Sequence, residues 1–209
     1  MVSADDKAVI PVGEPDHAVS TGVRAHNQAL GASNSETPIT ALDHDWKIAG
    51  LIPSVNLFVE IPESSKDTFF CGQPNVTLKD RIFQKSSPLR HATELSAQIT
   101  ERIEDFYKPI LLLVTDGGGD HNVTHGSVQA SLVALFIHRD LDFLCAMRTC
   151  PTQSWTNLAE RVMSILNIAL QHCALERETM SEEFEAMMKK SKNMGDGLNS
   201  NSLLWDILV

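Results

Sequence analysis

The sequence predicts an α/β fold, a mixed sheet of about five strands flanked by helices, on three observations. Pro109-Ile-Leu-Leu-Leu-Val-Thr115 is a continuous apolar run that ends in Asp116-Gly-Gly-Gly119, the pattern of a central strand buried on both faces and opening onto a glycine turn. Segments with a three-to-four residue apolar period lie on either side of it, and Phe143–Met147 repeats the buried-strand pattern before a long amphipathic stretch. The order strand, helix, strand, helix places helices over a sheet. Ile110–Thr115 should be central, with Phe143–Met147 parallel to it through a right-handed crossover over the Ser127–Arg139 helix.

The remaining elements follow in order. Val9–Val12 is a short apolar strand closed by Pro11, Gly13 and Pro15, and residues 25–45, rich in Asn, Gly, Ser and Thr, read as a long excursion. Ile52–Ile61 reads as a strand after the Pro53 breaker, with Val55, Leu57, Val59 and Ile61 alternating. Phe69–Leu78 is another strand, broken by Gly72 and Pro74. Ser87-Pro88 offers a cap and a first helical proline to a helix carrying Leu89, Ala92, Leu95, Ile99 and Ile103 toward Asp105. Asn157–Leu175 is a long helix whose stripe is Leu158, Val162, Ile165, Leu166, Ala169 and Leu170, and Ser181–Lys190 is one more helix. Residues 1–190 thus form the folded core. Residues 191–209 form a polar linker and an apolar tail, Leu203–Val209, that ends as though cut from a longer chain.

Composition bounds the function. The 209 residues, 43% hydrophobic and 21% charged, fit a globular chain and exclude wholesale disorder or a collagen-like fibre. No apolar run approaches the roughly 20 residues of a transmembrane helix, so no membrane partner is expected. Met1–Asp6 lacks the basic and apolar parts of a secretory signal, which favours an intracellular chain that is not secreted. Cys71, Cys145, Cys150 and Cys173 form no Cys-x-x-Cys pair, and Cys150 carries no nucleophile signature. The net charge of −10 repels phosphate, so a nucleic-acid function needs a basic patch, a metal ion or a further basic segment.

Several residues are placed for chemistry. Asp116 ends a buried strand, the edge of an α/β sheet where ligands collect, and its alternative role is a turn aspartate before glycines. Asp5 and Asp6 stand at the start of the first strand, or are simply solvated. Glu160 lies in the first turn of the long helix, off its apolar stripe, and Asn157-x-x-Glu160 is equally a capping box. His121 and His125 have the four-residue spacing of zinc helices without the adjacent glutamate, and Gly117–Gly119 lacks the lysine and Ser/Thr of a P-loop.

The stretch Lys108–Ser181, with "TDGGGDHNVTHGS" and "TNLAERV", resembles the catalytic core of DDE transposases, in particular transposon-derived reading frames of invertebrate genomes with a TDGGPDH-like strand end and an NPVER-like helix start. "VSADDKAVIPVGEP", "ALDHDWKIAGLIPSVNLFVEIP" and "SSPLRHATEL" extend the resemblance over most of residues 2–190. It implies an RNase H-like fold and two-metal cleavage or joining of DNA phosphodiesters by Asp5, Asp116 and Glu160 holding Mg2+ or Mn2+. Asp6 is the close alternative for the first acid. Asp120 and His121 follow the second, and His121 is expected beside the acids, where it would contact a scissile phosphate or orient Asp116. The resemblance also implies a nuclear location, DNA as partner through a separate or missing DNA-binding domain, and room for a homo-oligomer. Leu158 replaces the usual proline, Gly119 stands where relatives have proline, and little precedes Asp5. The competing readings are an inactive, domesticated or fragmentary remnant serving as an interaction module, and an exonuclease or RNase H-type hydrolase using the same acids.

Overall fold

A computed structural model describes residues 1–22, 49–64, 66–102 and 110–190. The expected 25–45 excursion and the 191–209 linker and tail fall outside the described residues, and so do Ile103 and Asp105. In chain order the elements are β1 (Val2–Asp6), β2 (Ile10–Pro11), β3 (Val19–Ser20), β4 (Gly50–Val59), β5 (Gly72–Asp80), α1 (Pro88–Arg102), β6 (Ile110–Thr115), α2 (Gly126–His138), β7 (Phe143–Arg148), α3 (Ala159–Ala169), β8 (Ala174–Leu175) and α4 (Glu182–Lys190). The chain is therefore α/β. None of these helices is long and apolar enough to cross a membrane.

The described residues divide into two units. The first takes Met1–Lys7, Pro53–Thr77 and Ser86–Ser164, and it holds the main sheet. Here β1 pairs antiparallel with β4, from Val2↔Phe58 to Asp6↔Ser54, and parallel with β6, from Val2↔Leu113 to Ala4↔Thr115. In turn β6 pairs parallel with β7 along its whole length, Ile110↔Phe143 to Thr115↔Arg148. Because β1 occupies one edge of β4, the pairing of β5 with β4 adds a strand on the far side, giving the order β5-β4-β1-β6-β7. The parallel pairing of β6 with β7, with α2 between them in the chain, is as expected.

Alternation along β1 and β6 sorts their side chains to two faces. Val2, Ala4, Leu111 and Leu113 turn to one face and pack with Ala92, Leu95 and Ile99 of α1 and Leu135 of α2 in the buried core. Ser3 turns to the other, where it meets Asn157 ahead of α3. Several expectations need correction. Asp5 and Asp6 close a strand of their own, Val2–Asp6, rather than open the Val9–Val12 strand. Pro53 lies within β4, not before it, because its carbonyl accepts the Lys7 N–H at 2.8 Å and extends the ladder. β7 is the last strand on its side of the sheet and is not buried on both faces: Phe143 and Met147 are exposed.

The second unit takes the described residues of Ala8–Ile52, Leu78–Lys85 and Ile165–Val209. Its pairings are short: Ile10↔Leu51 and Pro11↔Gly50 between β2 and β4, and Val19↔Leu175 between β3 and β8. The expected Asn157–Leu175 helix stops at Ala169. The Thr21 hydroxyl donates to the Leu170 carbonyl at 2.7 Å, His172 takes a left-handed φ of 61°, and the chain leaves as a strand. Arg177 reaches both Glu14 and Glu185, whose carboxylates hold its guanidinium above its usual value against the cost of burial.

Candidate active site

The three acids singled out in the sequence arrive from three elements of the first unit. Ala4↔Thr115 is the last printed register of β1 with β6, and one further step along two parallel strands sets Asp5 beside Asp116, at an interstrand spacing of about 4.8 Å. Asp116 Oδ1 accepts the Gly118 N–H at 2.8 Å, so it is a turn aspartate as well as a candidate ligand. Gly117 makes that turn with φ of 82°, and a Cβ there would meet the Arg148 side chain at 3.1 Å.

Glu160 comes from the first turn of α3, and that turn is tied to β1. The buried Asn157 side chain donates to the Ala4 carbonyl at 3.0 Å and accepts the Ser3 hydroxyl, and Ser3 Oγ accepts the Ala159 N–H at 3.1 Å. Asn157 is thus a clamp between helix and strand. Its own N–H donates to the Ser154 carbonyl, which replaces the reciprocal capping box with Glu160. Pinning this turn also rotates the helix: Ala159 and Met163 are buried, whereas Ile165, expected in the apolar stripe, is exposed.

Electrostatics record the convergence. Asp5 is buried, and its carboxyl is pushed up to about 7, first by burial and then by the charges of Asp116 and Glu160. Like charges and desolvation both disfavour the ionised form. Burial pushes the Lys7 ammonium below its usual value while Glu160 acts to raise it, so a cation that follows β1 next to the acids is itself partly withdrawn from water. All three acids offer only oxygen donors, the kind magnesium and manganese take, but among the described residues they do not form a group whose ligand atoms lie within 4.8 Å of one another.

Asp6 points to the other face. Its Oδ2 accepts the Ser86 hydroxyl at 3.1 Å and lies 3.3 Å from His91 Nε2, and Ser86 Oγ is 2.8 Å from the same nitrogen. His121 joins them: its ring packs on that of His91, centroids 4.2 Å apart. The expected place of His121 beside Asp5, Asp116 and Glu160 is thereby replaced by a place with Asp6 and His91. Asp120 and His121 line a cavity of about 40 Å³ with Ala4, Thr115, His91 and Ser131. His125 stands at the N-cap position of α2 without a side-chain capping bond, and its ring contacts the Gly119 carbonyl at 3.1 Å, outside this cluster. The sequence reading missed Lys7, Ser86, His91 and the clamp by Ser3 and Asn157. Only Asn157 had a legible signal, its position before a helix, and that signal pointed to a different job. Comparison with protein-family models, with curated proteins and with solved structures gave no match.

Proposed function

We propose that the first unit is the RNase H-like core of a DDE-type transposase, a polynucleotidyl transferase or nuclease that cleaves or joins DNA phosphodiester bonds. The observation that carries this reading is the convergence of Asp5, Asp116 and Glu160 from the end of β1, the end of β6 and the first turn of α3. The strand order β5-β4-β1-β6-β7, with β4 alone antiparallel to β1 among the two neighbours of that strand, supports the fold assignment.

When bound by these carboxylates, Mg2+ or Mn2+ supplies activation of the attacking oxygen and neutralisation of charge on the departing one. The residues themselves do the positioning. Asn157 and Ser3 fix the helix turn that carries Glu160, and Gly117 and Gly118 fix the turn that carries Asp116. The repulsion of Asp116 and Glu160 on Asp5 is charge that a divalent cation would offset, and to hold one the three acids would have to draw together, since their ligand atoms are not grouped within 4.8 Å. A net charge of −10 favours a second reading, an inactive remnant that serves as an interaction module.

Nicking and strand transfer on duplex DNA, with magnesium or manganese, separate these readings. A wild-type activity lost in Asp116→Asn is the expected result. Equal activity in both proteins rejects the site, and no activity in either favours the remnant.

A further inference from the structure

We propose that Asp6, His91 and His121 form a second metal site, for a transition-metal ion of the zinc class, on the sheet face opposite the three acids. The site does not depend on the nuclease reading. Each of the three residues offers one ligand atom, and these atoms lie within 4.8 Å of one another. Two imidazoles and one carboxylate are a borderline set that suits zinc, whereas magnesium prefers oxygen alone. Bonds of about 2.0–2.1 Å in a tetrahedron put neighbouring ligand atoms about 3.3 Å apart. Asp6 Oδ2 and His91 Nε2 already stand 3.3 Å apart, and the His121 ligand atom lies within 4.8 Å of both partners.

The surroundings are built for such an ion. Ser86 Oγ touches both Asp6 Oδ2 and His91 Nε2, the position of a fourth ligand or of an outer-shell group that orients the first two. All three ligand residues are half-buried, open enough to load and sheltered enough to hold. They come from the end of β1, the first turn of α1 and the loop after β6, three elements whose mutual position no covalent link fixes. An ion there braces the strand end that carries Asp5 and the loop that follows Asp116.

The test uses the full chain stripped with chelator and titrated with Co2+, then with Zn2+ in competition. One equivalent of Co2+ should give the visible absorption of tetrahedral cobalt, be displaced by Zn2+ and ignore millimolar Mg2+. His91→Gln and His121→Gln should each weaken binding at least tenfold while melting like wild type without metal. His125→Ala and Asp116→Asn should bind as wild type. Absence of a tetrahedral band, a band unchanged in His121→Gln, or a thiolate-to-cobalt transition placing the ion on a cysteine would each overturn the site. Loss of the band in Asp116→Asn would do so too, by moving the ion to the acids. DNA nicking lost in Asp116→Asn with cobalt binding intact leaves both readings standing, so either can fail without the other.

Discussion

On the α3 side of the sheet Asp116 and Glu160 act on Asp5 through their charges, and on the α1 side one carboxylate meets two imidazoles and a hydroxyl. Asp5 and Asp6 are adjacent in the chain, yet the strand pleat sends one to each side. The difference teaches that a strand end can serve two chemistries at once, with the donor type contributed by the helices: glutamate from α3, histidine from α1. The first side is burdened by repulsion, since burial and its neighbours push Asp5 up to about 7. The second is already linked by hydrogen bonds through Ser86.

The largest expected effect breaks the comparison on the acid side alone. Asp116→Asn should lower metal-dependent DNA nicking by a factor on the order of 10²–10³, the scale of removing a preorganised charge-stabilising group, while cobalt titration of the other side is unmoved. Melting curves supply a second readout. Wild type should gain stability with the logarithm of magnesium or manganese concentration, and the variant should not respond.

Next in size is a pH effect peculiar to the repulsive side. The folded chain holds the Asp5 proton up to about pH 7, whereas the unfolded chain releases it near the ordinary carboxylate value of 3.8. Stability therefore falls as pH rises from about 4 to 7, because the folded state binds the extra proton across that window. Asp5→Asn removes the effect. Urea unfolding should find it more stable than wild type by on the order of 2–4 kcal/mol at pH 8 and equal to it near pH 4. A difference independent of pH would contradict the coupling.

Asn157→Ala should cost about 2–3 kcal/mol, since it removes the buried amide that donates to the Ala4 carbonyl and accepts the Ser3 hydroxyl. It should also blunt the magnesium response and spare cobalt binding, a contrast that calorimetric titration with each ion would measure. Smallest is Gly117→Ala, about 1–2 kcal/mol for a left-handed residue that gains a Cβ. Because the turn precedes His121 as well as carrying Asp116, this substitution alone should weaken both metals.

How much of this was legible follows from what each signal reports. The β6 run, α1, α2 and the turn at Asp116 were readable because apolar period and glycine position are local. The joining of Asp5 to Asp116 needed the β1–β6 register, which no local pattern contains. His91 sits in a helix as an ordinary polar residue, and only the fold brings it to Asp6 and His121. Two-residue strands such as β3 and β8 are too short to show a period, so Ala174–Leu175 read as the end of a helix. Asn157 had a pattern with two meanings, and the buried partners Ser3 and Ala4 chose between them.

The parallel pairing of Ala4 with Thr115 has a kinetic consequence. Contacts between residues so distant in sequence close late, since loop entropy must be overcome before they reward the chain. The clash of like charges accordingly falls on a late step, when β1 docks along β6, and is absent from the earlier local structure of α1 and α2. Neutralising Asp5 should then accelerate refolding if that docking lies before the barrier's summit, and retard unfolding if it lies after, so the two arms of a chevron plot would date the birth of the acidic edge.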